Sequence, residues 1–333
     1  MLFVPSEEHF RHRIYNVLTN TFSDSKLVVP FKLRFCGSSL GWLVAVQSDF
    51  VVTLYKPFSM VEGGGDVDTN ATIHLPPLFP PDHAESYEYY VFKAIITADP
   101  ITNPDQCVIV VIFSEFCKMA YFRLTKDVTW TGIEHVGWPI DEVLYCYDQF
   151  YALNCQGDLV SFRIGEQYIR DVKVVARKPA ITIVGKSYLV KSCGETFLNV
   201  IRFMEWSFVS DMNDNISEED DMVLERATPE VVVYELDFEK GEWIEIESIG
   251  DLALFLGDNS SLCVAASDFP GCKPNCIYFT HDEDSLRSGH LRPSDFGIFH
   301  LDSQMMEYNL GIDETNLEGM FRLPIWIVPT LNE

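Results

Sequence analysis

The sequence predicts an all-β chain folded as a propeller, a ring of small sheets, and three observations carry the prediction. Helical periodicity is nearly absent. Short apolar runs of strand length, rich in Val, Ile, Phe and Tyr, alternate with Gly, Asn, Asp and Pro. One two-strand pattern also recurs along the whole chain, as repeat architectures require.

The repeat is an aromatic, a polar and an aliphatic residue, then a polar turn and a second short strand. Its first copy is Tyr15-Asn16-Val17-Leu18 with residues 27–30, and its second is Leu54-Tyr55-Lys56-Pro57 with residues 72–75. Phe122-Arg123-Leu124 with residues 129–133 and Phe162-Arg163-Ile164 with residues 168–172 follow. Tyr234-Glu235-Leu236 with residues 243–246 and Phe299-His300-Leu301 with residues 308–310 complete the set. Each reads as the last two strands of a four-stranded antiparallel unit.

Hairpins support the reading. Residues 41–47 pair with 50–55 across Ser48-Asp49, and residues 143–154 turn at Gln156-Gly157 into 158–164. Residues 187–192 turn at Cys193-Gly194 into 195–203, and residues 231–238 turn at Lys240-Gly241 into 242–246. Gly and Asn supply the positive φ that tight hairpins need.

A small sheet with two apolar faces hides both only by radial stacking. At roughly 40–55 residues per blade, the chain predicts six blades. A β-sandwich is the competing architecture, because its strands alternate too. The first copy starts too early for a full blade before it. The strand at 321–329 is therefore expected to complete that blade, so that N- and C-terminal strands close the ring. Residues 1–333 are expected to form one domain. Residues 211–226, acidic from Asp211 to Glu225, are expected to be a disordered insert. Residues 63–70 and 282–295 read as further exposed loops.

Bulk properties narrow the function. The chain has 333 residues, 47% hydrophobic, with 50 acidic against 24 basic residues and a net charge of −26. Such a surface repels phosphate backbones and anionic headgroups, so neither nucleic acid nor membrane is an expected partner. The longest apolar run, 107–113, is far short of the roughly 18 residues of a membrane span. The N-terminus lacks a signal-peptide pattern, so cytoplasm or nucleus is the expected location. The nine cysteines then read as reduced, mostly buried thiols, and the sequons at Asn70, Asn215 and Asn259 as chance matches.

Chemistry-bearing motifs are sparse. His281-Asp282-Glu283-Asp284 with His290 offers metal ligands, but on a loop without calcium-site spacing. Cys272 and Cys276 are not spaced as a zinc pair, and no second pair is near. No nucleophile elbow or zinc-protease motif occurs, and Gly63-Gly64-Gly65 leads into no phosphate loop. No catalytic residue, metal or cofactor is expected. The most unusual stretch is 250–279, read as strand, turn, strand, Pro-Gly turn, strand. Its glycines and prolines serve turns. Its functional reading puts Asp268, Phe269, Pro270, Lys273 and Asn275 on a rim that touches a partner.

That stretch, with Cys36-Gly37-Ser38-Ser39-Leu40-Gly41-Trp42-Leu43, Leu75-Pro76-Pro77, Lys93-Ala94-Ile95 and the run 108–113, resembles the plant KIB-type β-propeller family. The resemblance runs in matching order over nearly the whole chain and is most specific at 251–279. It implies a kelch-like propeller. It also implies kinship with plant F-box proteins, whose helical F-box docks on a Skp-type adaptor of a ubiquitin ligase while the propeller receives the substrate. Some members bind a shaggy-type kinase. No F-box-like segment precedes the first strands here, so the adaptor is expected as a partner only of a longer gene product that carries one. The resemblance supplies no catalytic residue.

The expected function is a non-catalytic module that binds a protein through rim loops. The alternative is a propeller hydrolase or lyase acting on a small molecule in the central channel. It requires histidines and carboxylates converging at the channel mouth.

Overall fold

The computed structural model describes residues 1–6, 11–17, 19, 21–24, 29–30, 33–59, 71–81, 87–134, 136, 139–178, 185–194, 196–210, 222–280, 282, 295–308 and 324–327. Among them the chain forms six sheets. The first contains β1 (Leu2–Ser6), β2 (Arg11–Asn16) and β3 (Thr21–Asp24), joined on its inner side by β25 (Ile325–Trp326) from the far end of the chain. The second holds β4 (Phe35–Ser39), β5 (Trp42–Val46), β6 (Val51–Tyr55) and β7 (Thr72–Pro77). The third holds β8 (Val91–Ile96), β9 (Val108–Phe113), β10 (Lys118–Arg123) and β11 (Thr131–Ile133).

The fourth sheet is β12 (Ile140–Cys146), β13 (Gln149–Asn154), β14 (Leu159–Ile164) and β15 (Ile169–Ala176). The fifth is β16 (Lys186–Lys191), β17 (Phe197–Ser210), β18 (Met222–Asp237) and β19 (Glu242–Ile246). The sixth has five strands: β20 (Leu252–Leu256), β21 (Ser261–Ala265), β22 (Cys276–Phe279), β23 (Gly297–His300) and β24 (Met305–Tyr308).

Side-chain alternation explains why these sheets form a ring. Strand β9 reads Val-Ile-Val-Val-Ile-Phe, apolar on both faces. Ile109, Val111 and Phe113 pack with Trp42 and Leu54 of the second sheet. Val110 and Ile112 point the other way, onto Val143 and Phe162 of the fourth. The fourth and fifth sheets share Tyr151, Leu153, Phe197 and Trp243. The fifth and sixth share Tyr188, Val200, Leu254 and Phe279. The sixth and first share Tyr278, Trp326, Leu2 and Tyr15. The first and second share Ile325, Ile327, Phe35 and Tyr55. Each apolar layer lies between consecutive sheets and the series returns to its start. A sandwich has one shared layer, so this arrangement is a β-propeller.

The predicted closure is present. Strand β25 pairs with β1, Leu2 opposite Trp326. The Met1 ammonium donates to the Ile327 carbonyl at 3.2 Å, and Ile327 N–H donates to the Met1 carbonyl at 2.9 Å. Trp326 Nε1–H reaches the Leu256 carbonyl at 2.8 Å and so ties this sheet to the sixth.

Strands β4, β8, β12, β16, β21 and β25 face the axis. The inner strands β4 and β8 run alongside each other: Arg34 Nη1–H donates to the Val91 carbonyl where they begin, and Ser39 Oγ to the Ile96 carbonyl where they end. Gly37 of β4 meets the Ala94 carbonyl, which leaves no room for a Cβ. Strands β4, β8 and β12 each carry a bulge near their start, between Phe35 and Gly37, Val91 and Lys93, and Ile140 and Glu142. We call the end where inner strands begin the lower end and the other the upper end. Asn259 bonds the Phe35 carbonyl and Lys186 bonds Asp258, so β21 also starts at the lower end.

Several expectations need correction. The strand after the first repeat copy is Thr21–Asp24 rather than 27–30. Residues 143–154 are not one run but β12 and β13, joined through Tyr147 and Asp148, both at positive φ. In the sixth sheet β20 pairs parallel with β22, because the inner strand β21 comes from a hairpin folded back toward the axis. Strands β17 and β18 run on beyond their sheet, so residues 222–226 of the expected insert pair with 206–210. Residues 211–221 and the loop 63–70 lie outside the described residues. The loop 282–295 is not exposed at its ends, since Asp282 and Asp295 are fully buried. Among the described residues no helix is long and apolar enough to cross a membrane.

Candidate protein-interaction face

The rim segment read from the sequence, 268–275, follows β21 and so lies at the upper end. A single 3-10 turn, Ala266–Asp268, leads into it. Its backbone is held on three sides. Ala266 N–H donates to the Asp251 carbonyl at 2.7 Å and Ser267 Oγ to the Asp251 carboxylate at 2.6 Å. Cys272 N–H closes on Phe269 at 2.9 Å, and Lys273 N–H donates to Tyr278 Oη at 3.0 Å.

Of the five residues named from the sequence, Asp268, Phe269 and Pro270 stand exposed together, with Phe269 40% accessible. Lys273 is exposed but engaged, its Nζ 2.5 Å from Glu307. Asn275 is half-buried and turned inward. Its Oδ1 accepts from Ile249 N–H at 2.9 Å and Ser248 Oγ at 3.1 Å, at φ 55°. Its side chain therefore belongs to the turn that starts β22.

Beneath this segment lies a triad-like arrangement. Cys276 Sγ is 3.3 Å from His300 Nδ1, and His300 Nε2 is 2.8 Å from Glu307. Nucleophile, base and orienting carboxylate have the right sequence of contacts. The thiol is nonetheless 2% exposed, and burial pushes it up to about 11. A thiol protonated at neutral pH and closed to solvent is inert. Lys273 and His300 hold the Glu307 carboxyl below its ordinary range.

A second upper-end feature was not read from the sequence. Between the third and fourth sheets lies an open groove of about 940 Å3. Its floor includes Val108, Phe150 and Ile164, and its walls include Arg123, Lys126, Tyr145, Arg163, Tyr168 and Arg170. Arg123 joins the two walls. Its guanidinium contacts Asp127 at 2.6 Å and donates Nη1–H to the carbonyls of Gly165 at 3.0 Å and Glu166 at 2.7 Å. Burial pushes the Asp127 carboxyl up, but its bonds from Arg123 outweigh that and hold it below the usual range. Arg163 meets Asp171 at 3.3 Å. Lys126 and Arg170 are exposed and make no ion pair among the described residues. Tyr168, at the β14–β15 turn, is 72% exposed. An aromatic so exposed beside two uncommitted cations is unusual in a chain this acidic.

At the axis, a channel cavity of about 230 Å3 is lined by Ser38, Ser39, Ile95, Leu189, Ser260 and Ser261 among others. Lys93, part of that lining, forms a buried ion pair with Glu142. Burial lifts the Glu142 carboxyl to about 7, although Lys93 pulls it down. The described lining contains no histidine.

Sequence reasoning also missed a buried charge cluster at the lower end. Arg202 of β17 lies in register with Lys186. Its guanidinium reaches Asp282 at 3.1 Å, the Thr280 carbonyl at 2.9 Å, Thr228 Oγ1 at 2.7 Å and, most closely, Asp295. It stacks 4.0 Å from the Phe279 ring, and Tyr188 Oη–H donates to Asp282. Burial works against its charge, but Tyr188, Asp282 and Asp295 outweigh that and raise its pKa. The signal was an arginine inside Val200-Ile201-Arg202-Phe203, where an apolar strand demands a buried partner. Of the ligand-type residues weighed and set aside in the sequence, His281, Glu283, Asp284 and His290 lie outside the described residues, while Asp282 pairs with Arg202 and Lys186. Among the described residues no group of His, Cys, Asp and Glu could hold a metal ion.

The sequence profile of the KIB1-4 beta-propeller family matches residues 14–300. F-box protein At2g17036 of Arabidopsis thaliana is 25% identical over 333 residues, covering 84% of this chain and 72% of that protein. F-box protein SKIP23 of the same plant is 26% identical over 204 residues, covering 57% and 46%. Among solved structures, apo AztD from Citrobacter koseri aligns with 92% of this chain and 91% of its own at 12% identity. Its TM-score is 0.32, too low to carry an argument.

Proposed function

This chain belongs to the KIB1-4 beta-propeller family, and we propose that it is a non-catalytic ring that binds a protein partner on its upper rim. The observation that carries the reading is the groove between the third and fourth sheets. It is preformed, because Arg123 fixes the spacing of its walls. It offers Tyr168 and Arg170, residue types that dominate binding hot spots, with Lys126 as a second free charge. The segment with Asp268, Phe269 and Pro270 opens to the same side and is pinned by its own hydrogen bonds, so little order is lost on contact.

The relatives' F-box names and the family resemblance suggest the finer role. In a gene product that also carries an F-box, the propeller would present a substrate to a ligase through a Skp-type adaptor, or hold a kinase as a regulator. Residues 1–333 would then act as one domain, in the cytoplasm or nucleus. Affinity purification from plant cells tests the binding role. The intact chain is expected to retain a specific partner that is lost from Tyr168→Ala/Arg170→Glu. An unchanged bound set from that variant and from Phe269→Ala would refute rim recognition. The channel-enzyme alternative finds no histidine in the described lining, and Glu142, paired with the lining residue Lys93, is buried outside that lining.

A further inference from the structure

Cys193 and Cys263 are 70 residues apart in sequence and belong to different sheets, yet their sulfurs lie 3.6 Å apart. Cys193 sits in the exposed turn between β16 and β17. Cys263 lies in the middle of β21, the inner strand that packs on β16. Both are free thiols. We propose that this pair is a reversible oxidation site, at which hydrogen peroxide joins the fifth sheet to the sixth through a disulfide.

The surroundings divide the roles. Burial pushes the Cys263 thiol up to about 12, so it stays protonated, whereas Cys193 faces solvent. Peroxide therefore meets the Cys193 sulfur first. Its thiolate attacks one peroxide oxygen, the O–O bond breaks, and hydroxide leaves, giving a sulfenic acid. The Cys263 sulfur then attacks the Cys193 sulfur. The S–S bond forms and the S–O bond breaks. The Cys263 proton leaves with the hydroxyl as water. Two thiols lose two electrons in total, and one peroxide becomes two waters. Proximity offsets the poor nucleophilicity of a protonated thiol, because the sulfurs are already near contact. In a reducing compartment a dithiol reductant restores the pair, as suits a transient rather than a structural bridge. Cys155 provides an internal control: it is also exposed, and no second thiol lies within hydrogen-bonding distance of it among the described residues.

The test exposes the purified full chain to stoichiometric hydrogen peroxide and maps its peptides without reduction. The expected result is one cross-linked pair joining Cys193 to Cys263 and the loss of two of the nine thiols. The melting midpoint should rise by about 5 °C, because the bridge restricts a long loop in the unfolded chain. Dithiothreitol should reverse all three changes. Cys193→Ser should abolish the cross-link, and Cys155→Ser should leave it intact. Sulfinic acid at Cys193 with Cys263 still a thiol would overturn the proposal. So would disulfides that form only between chains.

Discussion

The lower end of the fifth and sixth sheets and the upper end of the third and fourth both gather arginines and carboxylates, and they use them in opposite ways. Below, Arg202 is 1% exposed and every donor group of its guanidinium has an acceptor from a distant part of the chain. Above, Arg123 and Arg163 are tied to neighbours while Lys126 and Arg170 face open solvent. Water decides the difference. A desolvated cation must be fully paired, so Arg202 binds Asp282 and Asp295 and pins the two ends of one loop. A solvated cation carries no such penalty and remains available to a ligand. Buried charge here organises the fold, and exposed charge is what a partner can use.

The sharpest way to break this contrast is to remove Arg202. Arg202→Met removes the cation that joins buried Asp282 and Asp295, leaving Lys186 3.6 Å from Asp282, and should lower stability by about 3–5 kcal/mol in urea titration. A loss below 1 kcal/mol would mean the cluster is wet. Glu142, the buried partner of the channel-lining Lys93, extends the comparison. Its folded carboxyl titrates near 7, above the ordinary value of 4.5, so the folded state holds the proton more tightly than the unfolded state. Its contribution is therefore full below about 4.5 and is lost as pH rises to about 7. Relative to Glu142→Gln, the native chain should lose about 2–3 kcal/mol across that window, read by denaturation at successive pH values.

Arg123 stands between the two classes, partly buried but spanning the groove. Arg123→Ala should cost about 1–2 kcal/mol through its lost charge-assisted bonds and should widen the groove. Equilibrium unfolding together with partner affinity would sharpen its place in the comparison. The smallest stability change belongs to Tyr168→Ala with Arg170→Glu, within about 0.5 kcal/mol because both are exposed. Partner binding should nevertheless fall at least tenfold. A variant that unfolds instead would place these residues with Arg202.

Legibility in the sequence follows the range of the interaction. Hairpins such as β5–β6 and β18–β19 were readable because Ser48-Asp49 and Lys240-Gly241 sit between alternating apolar runs. The turn at Tyr147-Asp148 was not, since two non-glycine residues at positive φ carry no usual turn signature. Asp268, Phe269 and Pro270 could be placed on a rim because a Pro-Gly turn between two strands must surface. Asn275 looked like a rim residue, yet its side chain is taken by Ile249 and Ser248, twenty-odd positions away in the chain. Arg202 stands inside an apolar run and Glu142 directly after Asp141, and nothing local says which Asp or Lys would meet them.

The sequence by itself determined that the chain is built of short two-faced strands, which cannot be stable alone and so must pack as sheets against one another. It also determined where most turns fall, because turn chemistry and side-chain alternation act over a few residues. Only the tertiary structure decided that β20 runs parallel to β22, that Asp282 and Asp295 go inside, and that a groove opens between the third and fourth sheets. Those outcomes depend on which surfaces exclude water together, and residues far apart in the chain settle that jointly.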